Sequence, residues 1–233
     1  MTNTHLILAS QSPRRRELLG LTGLPFEVIT ADIDETPHAG ESARDYTIRL
    51  SREKACAIIN SPDHTLPDHT LVLAADTTVA DGDAIIGKPA DAAEARSMLR
   101  QLRNRTHQVY TALTVIDATT GLGVTEIGAT DVPMRDYSDD EIETYIASGD
   151  PFDKAGGYAV QNTDFNPAPT LNGCYANVMG LPLCHVIRAL RAFKIVPDVD
   201  IAARCQQHID YDCTVFDQIL MGPTSAPREV SIR

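Results

Sequence analysis

Three adjacent arginines, Arg14, Arg15 and Arg16, follow the apolar run Leu6 to Ala9 and the turn Ser10-Gln11-Ser12-Pro13. A strand-to-helix turn of this kind gathers guanidinium groups, backbone N–H groups and the positive end of a helix in one small volume, an arrangement that binds phosphate. Successive helical residues point about 100° apart, so at most two of the three arginines face one ligand. The plainer alternative is a solvated helix start. Asp76 closes the apolar run Leu71 to Ala75 and is followed by Thr77. A carboxylate at the carboxyl end of a buried strand stands where ligands of open α/β sheets bind, as a base or a metal ligand, with a helix N-cap as competitor. Lys88, in Gly87-Lys88-Pro89, and Lys154, in Asp153-Lys154-Ala155-Gly156, sit in turn-forming contexts where an ammonium can reach a phosphate or simply face water.

Other constellations are weaker. Asp32-Ile33-Asp34-Glu35-Thr36, after a strand Val28 to Ala31, matches the nucleophile loop of haloacid-dehalogenase-type phosphatases, in which Asp32 would attack phosphorus. Their later acidic motif is echoed only faintly by Gly149-Asp150 and Asp153. No G-x-S-x-G elbow, P-loop or G-x-G-x-x-G is present. Cys205, His208 and Cys213 lie close together, but zinc sites want four ligands at tighter spacing, so tail packing is the better reading.

The elements that position these residues follow from caps and apolar spacing. Leu6 to Ala9 reads as a strand, Pro13 to Leu21 as a helix and Phe26 to Thr30 as a second strand. Ser42 with Asp45 opens a helix through about Ile59, and 60–70 is a turn-rich loop. Leu71 to Ala75 predicts a buried strand that delivers Asp76 at its end. A helix over Asp91 to Arg103 precedes a strand over Gln108 to Ile116, paired with 122–132 through a hairpin near 119. Ser138 and Glu141 cap a helix to Ala147; strands near Gly157 to Gln161 and Tyr175 to Met179 lead to a closing helix from Pro182 to Phe193. Strands alternating with helices predict an α/β fold, its central sheet mixed because of the hairpin. Pro197 marks a boundary, giving a domain over 1–195 and an extension over 196–233, helical and then polar and partly disordered.

The 233 residues are 43% apolar and 22% charged, proportions of an ordinary globular domain. A formal charge of −12 disfavours broad attraction to nucleic acid or an anionic membrane, so a polyanionic ligand needs a local basic pocket. Apolar runs are too short to span a bilayer and the start lacks a leader pattern, so a cytoplasmic location is expected. Five scattered cysteines, an odd number, predict reduced thiols.

Ala9-Ser10-Gln11-Ser12-Pro13-Arg14-Arg15, Asp34-Glu35-Thr36, Arg52-Glu53-Lys54-Ala55, Ala75-Asp76-Thr77, Gly87-Lys88-Pro89, Asp153-Lys154-Ala155-Gly156, Tyr158 with Gln161, and Asn177-Val178-Met179-Gly180-Leu181-Pro182 occur in this order. Together they resemble the Maf family of nucleoside triphosphate pyrophosphatases over about residues 4–195. Ser-Pro-Arg-Arg, Ala-Asp-Thr and a glutamine after Asp-Lys-Ala-Gly are similar to the branch acting on dTTP and UTP rather than 7-methyl-GTP. The stretch Asn162 to Pro169 and the tail depart from the family pattern.

The resemblance implies two lobes around a cleft and hydrolysis of the α–β phosphoanhydride to a monophosphate and pyrophosphate, assisted by Mg²⁺ or Mn²⁺. It implies Asp76 as proton acceptor, Arg14, Thr77 and Gln161 shaping substrate choice, and Ser10, Arg15, Lys54, Lys88 and Lys154 lining a phosphate pocket. Glu35, with Asp76, would hold the metal, and a homodimer is expected. Transfer to a polyanion needs positioned cations and an oriented water, which arginine, lysine and a carboxylate supply. Asp76 as direct base and Asp76 as metal ligand both satisfy this. A nucleotide-sensing regulator of cell division and the phosphatase reading through Asp32 are the competing functions.

Overall fold

The first third of the chain alternates strand and helix: β1 (His5–Ala9), α1 (Pro13–Gly20), β2 (Glu27–Ile29), α2 (Ala43–Ile59) and β3 (Thr70–Asp81). The structure is a computed structural model describing residues 4–30 and 32–231, so Ala31, the end of the strand that the phosphatase reading places before Asp32, lies outside the described residues. The caps are those the residue types demand. Ser12 accepts from Arg15 N with Pro13 in the first turn of α1, and Ser42 accepts from Asp45 N at the start of α2. Then come β4 (Ala84–Ile86), α3 (Ala92–Leu102), the hairpin of β5 (Thr106–Asp117) and β6 (Leu122–Pro133), and α4 (Asp139–Ala147) with the expected capping box. Two 3-10 turns, Asp150–Asp153 and Ala155–Gly157, precede α5 (Tyr175–Met179), α6 (Leu183–Ala192), α7 (Ile201–Ile209), α8 (Phe216–Met221) and β7 (Arg228–Glu229).

The sheet runs β2-β1-β3-β5-β6-β7, with β4 paired to β3. β1 is parallel to β2 and β3, whereas β3, β5 and β6 are antiparallel, so the sheet is mixed and flanked by helices. Strand side chains alternate between faces. Leu71, Leu73 and Ala75 pack with Leu18 and Leu19 of α1 and with α6; Val72 and Ala74 pack with Ala55 and Ile58 of α2. A further apolar cluster gathers Val79, Val109 and Val132 at the far ends of the long strands with Leu99 of α3 and Ile142 of α4. Between the clusters lies a buried polar waist of Asp76, Thr78, Thr111, Thr130 and Asn177.

Three expectations are corrected. β3 does not end at Asp76: β5 partners it from Leu71↔Asp117 to Ala80↔Gln108, and a ladder complete on that side carries it past the change in polarity. What ends there is the parallel part of the sheet, because β1 stops at Ala9, opposite Ala74. The strands expected near Gly157 to Gln161 and over Tyr175 to Met179 are a turn with adjoining loop, and a short helix. Gly156 and Gly157 take φ values of 73° and 67°, which break extended backbone. β5 is already flanked by β3 and β6, so Tyr175–Met179 crosses the sheet face, docked by Asn177 Nδ2 donating to Val109 O and Thr130 Oγ1. Finally, the described part of the extension carries two helices and a short strand that pack on the rest of the chain, where a helical piece and a polar end were expected. Ile201 and Cys205 enter the main core, Arg188 and Arg191 donate to Ile219 O and Leu220 O, and β7 pairs with Leu122 and Gly123.

Candidate active site

Between the end of β1, opposite Ala74, and the start of β4 pairing at Val79, residues 75–78 of β3 have no strand partner on that side, which leaves a notch whose wall carries Asp76 and Thr77. Alternation sends Asp76 toward α2. Thr47, Leu50, Ser51, Ala55 and Ile58 form the buried stripe of that helix, and Lys54 is the charged residue along it. Lys54 Nζ lies 2.7 Å from Asp76 Oδ1 and 2.7 Å from Glu35 Oε1. Asp76 is only 6% exposed, and its second oxygen accepts from Thr78 Oγ1 at 3.3 Å. Burial opposes ionisation of Glu35, yet the hydrogen bond and charge of Lys54, joined by the charges of Lys88 and Arg15, hold its carboxyl below the ordinary range.

Thr77 points to the other face, toward α1. Arg15 enters there from the first turn of α1, donating from Nε to Gly180 O at 2.8 Å, from Nη2 to Thr77 Oγ1 at 2.9 Å and from Nη1 to Ser10 Oγ at 3.5 Å. Thr77 shares a hydrogen bond with Thr111, which donates to Asn177 O at 2.7 Å. The docked turn after α5 thus presents Gly180 O to the guanidinium. Burial lowers the Arg15 pKa, and the negative charge of Asp76 is the largest effect working against it. The two faces therefore meet electrostatically: one fixed guanidinium and two carboxylates joined by an ammonium share the notch. Hard oxygen donors from Glu35 and Asp76 suit Mg²⁺ or Mn²⁺, which take one or two carboxylates and fill the remaining positions with water and phosphate oxygens. No group of three His, Cys, Asp or Glu side chains gathers among the described residues, so a cation here needs its substrate or water to complete the shell.

A family profile described as Maf-like protein matches residues 5–193. The chain belongs to the Maf family. A protein of Chromobacterium violaceum named dTTP/UTP pyrophosphatase is 48% identical over 194 residues, covering 82% of this chain and 96% of its own. Proteins with the same name from Anaeromyxobacter dehalogenans and Desulforamulus reducens are 45% and 42% identical, covering 80% and 82% of this chain and 92% and 97% of theirs. The family match ends before α7, so the C-terminal extension lies outside it.

The remaining expected site residues of this Maf chain are not all brought to the notch. Arg14 is half-buried beside Arg15 and lowers its pKa further, while Arg16 lines a hollow of about 710 Å³ with Val28 and Thr30 that Ser10 also borders. Lys88 is exposed on the loop after β4, and Gly156 N donates to Gly87 O in the same loop. Lys154 is buried with its donors engaged by Asp150 O, Asp150 Oδ1 and Asp153 Oδ1. Gln161 is exposed in the turn that follows the second 3-10 turn, and among the described residues no hydrogen bond joins it or Lys154 to Arg15, Asp76 or Thr77. Asp32 is exposed and accepts from Gln11 Nε2 at 3.4 Å, away from the Lys54 pair. Sequence reasoning passed over Tyr46, Arg49 and Thr111, which touch the site only through other groups. The one signal for Tyr46 and Arg49 was their place on the helix turns before Lys54, and Thr111 on β5 had none.

Proposed function

We propose that this chain hydrolyses the α–β phosphoanhydride of dTTP and UTP. The observation that carries the reading is the notch itself, where Lys54 joins Asp76 to Glu35 and the Arg15 guanidinium faces them across β3. The names of the relatives supply the substrate class. Arg15, Lys54, Lys88 and Ser10 hold the phosphate oxygens. Arg15 is the fixed member, since its fork to Gly180 and Thr77 sets its plane before substrate arrives, which spares reorganisation when charge develops. Water adds to the α-phosphorus, its proton passes to the Asp76 carboxylate, and the bond to the bridging oxygen breaks to release pyrophosphate. Glu35 and Asp76 would hold a divalent metal, which when bound screens phosphate charge and makes its water more acidic. Arg14 and Gln161 flank the nucleoside, whose carbonyl and N–H edge a glutamine amide matches with both a donor and an acceptor. Thr77 acts through Arg15, because its hydroxyl is spent there and on Thr111. Lys154 reaches phosphate only by exchanging Asp150 and Asp153 for it.

The test is a panel of dTTP, UTP, 7-methyl-GTP and the common nucleotides with Mg²⁺ or Mn²⁺ and product identification. Monophosphate and pyrophosphate from dTTP and UTP are expected. Orthophosphate with a diphosphate product excludes α–β cleavage, and preference for 7-methyl-GTP moves the chain to the other branch.

A further inference from the structure

Glu35 is carried by residues 32–41, which contain no helix or strand among the described residues, so another element must hold its carboxylate at Lys54. That element is α2 itself. Tyr46 Oη donates to the Glu35 carbonyl at 2.7 Å. Arg49 donates from Nε and Nη2 to the two Glu41 carboxylate oxygens, both at 2.8 Å, from Nη2 to Thr36 O at 3.1 Å and from Nη1 to Glu53 Oε2 at 3.0 Å. Its guanidinium also lies over the Tyr46 ring, 5.4 Å from the centroid. One planar fork thus clamps both ends of the segment 36–41, and Tyr46 pins the residue just before it. Lys54 follows on the same helix, about 12 Å along the axis from Tyr46 at 1.5 Å per residue. We infer that Tyr46 and Arg49 are positioning residues that register the Glu35 loop against α2, so that Glu35 meets Lys54 and Asp76 at the notch. This rests on the proposed reading of Glu35 as a metal ligand. Burial and the charges of Asp76 and Glu35 push the Tyr46 hydroxyl up to about 12, so it stays protonated as the donor to the Glu35 carbonyl.

The substitutions are Tyr46→Phe, which removes one hydroxyl, and Arg49→Lys, which keeps the charge but cannot serve Glu41, Thr36 and Glu53 at once. Mn²⁺ binding to the complex with α,β-methylene-dUTP is read by electron paramagnetic resonance, beside Glu35→Gln and both double variants. Each single substitution is expected to weaken Mn²⁺ binding about 10- to 100-fold, the usual loss when a group orienting a ligand is removed, with KM for nucleotide nearly unchanged. Each double variant should bind Mn²⁺ no more weakly than Glu35→Gln alone, because the effect runs through that carboxylate. Unchanged Mn²⁺ binding in Tyr46→Phe and Arg49→Lys, or losses that add to that of Glu35→Gln, overturn the inference while leaving the Glu35 reading standing. Unchanged binding in Glu35→Gln overturns the Glu35 reading and the inference with it.

Discussion

At the residue scale, the buried carboxylate of Asp76 and the fixed fork of Arg15 do different work, and substitution separates them. Asp76→Asn keeps shape and hydrogen-bonding size but cannot take the proton and, without its charge, is a weaker ligand for a cation. Turnover of dTTP should fall by about 10²- to 10⁴-fold while the nucleotide Kd changes little, as read by single-turnover kinetics and calorimetry. Asp32→Asn should leave turnover intact; loss of activity there with retention in Asp76→Asn would return the phosphatase reading. Arg15→Lys loses the planar fork to Gly180 O and Thr77 Oγ1. Its expected signature is a KM for dTTP raised at least tenfold, measured by initial rates, and an unchanged KM removes Arg15 from the binding set.

At the element scale, the contribution of the turn after α5 is steric. Gly180 has φ 110°, and a Cβ there would stand 3.2 Å from Thr77 Oγ1 and 3.3 Å from Arg15 Nε. Gly180→Ala should lower stability by about 1–3 kcal/mol in urea unfolding and raise KM as Arg15 shifts. Gly20→Ala, in open space at ordinary φ, should do neither. The elements were legible to the degree that local chemistry decides them: Ser12, Ser42, Asp91 and Ser138 each cap the helix expected of them. Tyr175–Met179 was misread because its Tyr and Val residues favour a strand, whereas β5 had no free edge to offer. The length of β3 was underestimated because antiparallel pairing with β5 outlasts the apolar run.

For the whole molecule, acid stability reads out the burial of two histidines. His107 pairs with Tyr158 Oη at 2.7 Å and is pulled down to about 4 by burial; His185 is pulled down to about 4 by burial and by the charge of Arg188. Both folded values lie below the ordinary 6.5, so the unfolded chain binds more protons between about pH 6.5 and 4. The stability they confer is complete above about pH 6.5 and declines as pH falls toward 4, by about 3 kcal/mol for each histidine. Urea midpoints at pH 7, 6, 5 and 4 should drop across that window, and a flat profile would show the histidines to be solvated. Glu41 and Glu141, held down to about 2 by hydrogen bonds from Arg49 and Arg135, act in a lower window, between their ordinary range and pH 2.

Capping residues and apolar spacing by themselves determined an α/β domain, because each depends on residue type at short range, and the ordered short motifs carried the resemblance to the Maf family. The tertiary structure alone decided which cations meet Asp76. Lys54 and Arg15 reach Asp76 and Thr77 from opposite faces of β3, since strand alternation and the early end of β1 open both faces onto one notch. Lys154 carries the same charge and an equally suggestive motif, yet its neighbours Asp150 and Asp153 hold its ammonium at their own 3-10 turn. The physical reason is reach: a side chain spans a few ångströms, and only the pairing of strands distant in sequence determines what lies within that distance.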